Sequence, residues 1–127
     1  MAAKTRKIAE RRGVTVRDAR RLVLDLGNVV DGLSYGQPSF LVNGRFFARF
    51  RDEETVLVLQ LSSIDDRELL MQIDPEAFFF TDHYRNYPAV LIRLVDVSRP
   101  LFEEVVRKAW QHASTRSPAK ARPKRRR

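Results

Sequence analysis

The chain contains no cysteine. That single absence removes disulfide scaffolds, thiolate metal sites, iron–sulfur ligation and cysteine nucleophiles, and it gives no sign of an oxidising compartment. Histidine is almost as scarce, with only His83 and His112. There is no Gly-x-Ser-x-Gly elbow, no phosphate-cradling glycine loop and no HExxH pair, so the usual equipment of hydrolases, nucleotide-dependent enzymes and zinc proteases is missing. Long apolar runs are missing too: the longest, such as Val56–Leu59 and Ala77–Phe80, fall far short of the roughly 20 residues of a membrane-crossing helix. The opening residues reach the polar Glu10-Arg11-Arg12 without the apolar stretch a secretory leader needs. These absences predict a cytoplasmic protein with no membrane partner, no cofactor and no catalytic activity.

What is present is a chain of 127 residues, 43% hydrophobic and 9% aromatic, which suits one domain with one core. Its net charge of +8 is unevenly spread. Residues 1–21 hold eight basic and two acidic side chains, and residues 116–127 hold seven basic and none acidic, which leaves nine basic against fourteen acidic over residues 22–115. The basicity therefore belongs to the ends. This pattern predicts three parts: a basic arm over residues 1–14, a domain over residues 15–113, and a basic tail over residues 114–127. The tail has two prolines and no large apolar side chain, so it cannot repay the entropy of ordering and is expected to be disordered. Lys120, Arg122, Lys124, Arg125, Arg126 and Arg127 suit polyanion binding, since each cation that replaces a counterion on a phosphate gains free energy. Solubility is the competing explanation of such a run.

Within the domain, Thr15-Val16-Arg17-Asp18 predicts a helix start, and Val16, Ala19, Leu22, Val23 and Leu26 recur at helical spacing up to Gly27. Arg17, Arg20 and Arg21 fall on the outward face, where they either grip phosphate or simply meet water. From Pro38 the period changes to two. Asn43-Gly44 between two apolar segments is the strongest short hairpin signal, because a type I′ turn needs positive φ at both central positions. A regular register from that turn sets Phe40 opposite Phe47, with Leu41, Phe46, Ala48 and Phe50 on a core face and Phe40, Val42, Phe47, Arg45 and Arg49 on a mixed face. A third strand over Thr55–Leu61 completes a meander. A helix follows Ser63 and ends at Asp74-Pro75, an aromatic irregular stretch reaches Pro88, a strand spans Ala89–Val95, and a last helix follows Ser98 with Phe102, Val105, Val106, Ala109 and Ala113 inward. The expected fold is α+β: a mostly antiparallel sheet, built from a three-stranded meander and a later strand, packed with about three helices.

Gly36-Gln37-Pro38-Ser39-Phe40, Asn43-Gly44-Arg45-Phe46-Phe47-Ala48, Asp74-Pro75, Phe79-Phe80, His83-Tyr84, Tyr87-Pro88-Ala89-Val90 and Arg93 together resemble the MmcQ/YjbR-like proteins, over roughly residues 15–113. The resemblance implies a CyaY-like, double-wing fold, a bacterial source and the DNA-binding label those proteins usually carry. Arg45 stands where that family commonly has Lys, and the basic tail lies outside the matched region.

Two functional expectations follow. The first is a non-enzymatic, largely sequence-independent DNA-binding protein, with RNA as the alternative partner, in which Phe40 and Phe47 stack bases while Arg45, Arg49, the α-helical arginines and the arms hold phosphates. Against it stands the reading that Phe40 and Phe47 are covered and the arginine stems lie over them. The second is a protein- or small-ligand-interaction module built on the aromatic loop around His83, with a solubilising tail. His83 itself is expected to bond backbone near Pro88.

Overall fold

The structure is a computed structural model and describes residues 13–116. Its elements are α1 (Val16–Leu24), β1 (Val29–Ser34), β2 (Gln37–Val42), β3 (Arg45–Arg51), β4 (Val56–Gln60), α2 (Ile64–Ile73), β5 (Phe78–Phe79), β6 (Ala89–Arg93) and α3 (Arg99–Thr115), with a 3-10 turn at Asp82–Tyr84. The strands form one sheet in the order β1-β2-β3-β4-β6-β5, antiparallel at every pairing. The expected α+β class is therefore met. Among the described residues all three α-helices start on a hydroxyl cap: Thr15, Ser63 and Ser98 accept from the backbone N–H of Asp18, Asp66 and Leu101 at 3.0, 3.1 and 3.3 Å.

Two strands go beyond the sequence reading. β1 carries Asp31 and Gly32, both poor strand formers, and it is joined to β2 by a turn at Tyr35-Gly36 with φ of 52° and 78°. Those angles are those of the Asn43-Gly44 turn, at 56° and 76°, but a tyrosine in the left-handed region gives no sequence signal for a hairpin. β5 is only two residues long.

The hairpin register corrects the expected faces. Val42 pairs with Arg45 and Leu41 with Phe46 as expected, but Phe40 pairs with Ala48, so Phe47 is an extra residue on β3. Such a bulge exchanges the faces of everything beyond it. Ala48 and Phe50 thereby join Phe40 and Val42 on the main core, while Leu41 and Phe46 fall to the opposite face, where Phe46 packs against a smaller cluster of Val56, Val58, Ala89 and Leu91. The main face is covered by Ala19 and Val23 of α1 and by Phe102, Val105, Val106, Ala109 and Ala113 of α3, all buried. α2 packs at the β5 and β6 edge.

The domain boundaries also move. Gly13 and Val14 donate their N–H groups to Val97 and Leu94 at 2.7 Å, and Val14 is buried, so both belong to the domain rather than to an arm. At the other end, Ser114 and Thr115 complete α3 and are not tail. The rest of both predicted arms lies outside the described residues.

Candidate functional site

The expected stacking platform is not on the surface. Phe40 is 2% exposed and Phe47 is 0% exposed, so neither ring can meet a base. What covers Phe40 includes Arg20, whose guanidinium lies 5.5 Å from that ring and 5.4 Å from the ring of Phe50, within reach of Asp31 at 3.9 Å and Glu54 at 3.8 Å. Arg20 is thus engaged with the fold. Arg17 and Arg21, on the same helix, are exposed.

The bulge also separates the two hairpin arginines. Arg45, opposite Val42, stands on the α3 side, whereas Arg49, opposite Val58, stands on the other. At the α3 side the Asn43 side-chain amide donates to the carbonyl of Arg116 at 3.1 Å, which fastens the hairpin turn to the helix end. Burial first, and the positive charge of Arg45 second, push the Arg116 guanidinium below its ordinary value. The Asn43 bond thus brings the turn that carries Arg45 to Arg116, the last of the described residues. Lys120, Arg122, Lys124, Arg125, Arg126 and Arg127 lie outside the described residues.

On the second face a cavity of about 560 Å³ opens between the β1–β2 turn, the sheet and the aromatic loop, lined by Ser34, Tyr35, Gln37, Phe46, Arg49, Gln60, His83, Tyr84, Tyr87 and Ala89. The Arg49 guanidinium donates to the Tyr84 hydroxyl at 3.0 Å. Its wall is held by Arg67, a residue the sequence reading passed over. Arg67 is 2% exposed, and donates to the carbonyls of Tyr84 (2.8 Å), Tyr87 (3.0 Å), Ala89 (3.3 Å) and Arg85 (3.0 Å), with its guanidinium 3.9 Å over the Phe80 ring. Four carbonyls and a ring face compensate a charge that burial alone would make costly. Gln60 adds bonds to the carbonyls of Leu61 and Pro88 at 3.2 and 3.3 Å. These two side chains do the work expected of His83, which instead is exposed, with its ring edge-on to Tyr84 at 4.7 Å. The one signal for Arg67 was its place three and four residues before Leu70 and Met71, on the inward stripe of α2.

A family model, YjbR, matches residues 24–112. The chain belongs to the YjbR family. The resemblance drawn from the sequence motifs is thereby borne out, and the match spans every strand of this YjbR chain. No curated protein matches it. The fold is similar to that in the crystal structure of the Deinococcus radiodurans protein DR2400, of the DUF419 domain family, with a TM-score of 0.67 and 21% identity over 87% of this chain and 86% of that one. At that identity the likeness speaks for the fold alone. Among the described residues no helix is long and apolar enough to cross a membrane.

Proposed function

We propose that this YjbR chain is a non-enzymatic, largely sequence-independent nucleic-acid-binding protein of the bacterial cytoplasm, with DNA as its partner. The observation that carries the reading is the run of seven lysines and arginines over residues 116–127, which begins at Arg116, where the Asn43 amide fastens the hairpin turn to the helix end. Each cation of that run that neutralises a phosphate releases a counterion, and Arg45 adds a further positive charge beside it. Arg17 and Arg21 offer further exposed cations, and the basic N-terminal residues continue them in sequence. Base stacking has no part in the reading, since Phe40 and Phe47 are core residues. Contacts confined to phosphate carry no sequence information, which is why specificity is expected to be low.

The test is the salt dependence of duplex binding by the full chain. Seven cations over residues 116–127 predict a log–log slope of magnitude up to about 6. Duplex affinity that is flat with salt, or absent at low salt, would count against the proposal.

A further inference from the structure

The second-face cavity is unrelated to the phosphate contacts just proposed, because Arg49 and Arg45 stand on opposite faces of the sheet. Arg49 is half-buried, and its hydrogen bond goes to a neutral hydroxyl, that of Tyr84. Among the described residues it forms no ion pair, and no acidic side chain lines the cavity. A half-buried guanidinium without a carboxylate has donors to spare for an anion, and its planar fork suits carboxylate and phosphate alike.

The surroundings add shape. Phe46, Tyr84 and Tyr87 supply ring surface, and Gln60, whose amide nitrogen is committed to two carbonyls, keeps its own oxygen as an acceptor. At the rim Tyr35 is fully exposed and sits at φ 52°, a left-handed conformation that costs a bulky residue energy and that the fold nevertheless keeps beside the opening. The wall is fixed in advance by Arg67, so little ordering is left to be done on binding. A volume of about 560 Å³ is in the range of small-molecule sites.

We propose that this cavity binds a small anion that carries a flat ring, with its charged group on Arg49 and its ring against Tyr84 and Tyr87. The shared chemistry fits an aromatic carboxylate and a nucleoside monophosphate, and the test separates them.

Calorimetric titration of the full chain at physiological salt uses two matched pairs: para-hydroxybenzoate with para-hydroxybenzamide, and uridine monophosphate with uridine. At least one anion binds more tightly than its neutral partner, and the pair that shows the difference names the source. Arg49→Gln then weakens that anion by roughly tenfold to a hundredfold and leaves the neutral partner unchanged. Arg45→Gln changes neither. Tyr87→Ala, at a residue 58% exposed and so safe for folding, weakens the anion and its neutral partner together. No preference for either anion, or a preference that survives Arg49→Gln, overturns the proposal while leaving the duplex reading intact.

Discussion

Arg45 and Arg49 share one strand yet project from opposite faces of the sheet, because Phe47 is an extra residue between them on β3. One bulge thus assigns the two arginines to different surroundings. Arg45 stands by the helix end at Arg116, and Arg49 lines the aromatic cavity.

The separation predicts unequal mutants. Arg45→Gln is expected to lower the magnitude of the duplex salt slope by about 1, as the loss of one phosphate contact does. Arg49→Gln should leave that slope unchanged. Anisotropy titrations over a range of salt give both numbers, and equal effects would place the two side chains on one surface.

Phe47→Ala removes a fully buried ring, and should destabilise the domain by about 3–5 kcal/mol. Denaturant unfolding reads this directly. The protein that stays folded should bind single-stranded DNA as before; a loss of that binding with unchanged stability would restore the stacking platform.

Arg67→Lys keeps the charge and loses the fork. An ammonium has three donors for the four carbonyls that Arg67 reaches, so at least one is left unpaired, at a cost of about 1–3 kcal/mol. Hydrogen exchange should quicken first at the backbone amides of Tyr84, Arg85 and Tyr87. Unchanged stability in denaturant would mean that the carbonyls find other donors.

Trp110 ties α3 to the exit of α1 through its indole N–H, which donates to the carbonyl of Gly27 at 2.9 Å. Trp110→Phe keeps the ring packing and loses that bond, so a fall of about 0.5–1 kcal/mol is expected in thermal or chemical unfolding. A fall several times larger would show that the indole's bulk, and not its donor, is what holds the two elements.

How legible the molecule was in its sequence depended on whether local signals or long-range packing decided each feature. The caps at Thr15, Ser63 and Ser98, the inward stripe of α3 and the Asn43-Gly44 turn all follow from neighbours within a few residues, and all stand in the structure. β1 was missed because Asp31, Gly32 and Tyr35 are locally unsuited to what their partners on β2 impose. The bulge at Phe47 leaves no mark in an alternating pattern where phenylalanines stand side by side, and one undetected residue exchanged the two faces of the hairpin. Arg67 drew no reading from the sequence because its carbonyl partners lie 17 to 22 positions away. The cavity depends on that same clamp and on the Tyr35 turn, so it too was invisible except as an aromatic cluster around His83.

The most direct measurement of the central claim compares the full chain with a chain ending at Arg116, on the same duplex and across the same salt series. The truncation keeps all of α3 and removes six cations. Unchanged thermal unfolding, much weaker binding and a salt slope smaller in magnitude by about 5 are expected. Equal affinity and an equal slope for the two chains would contradict the account.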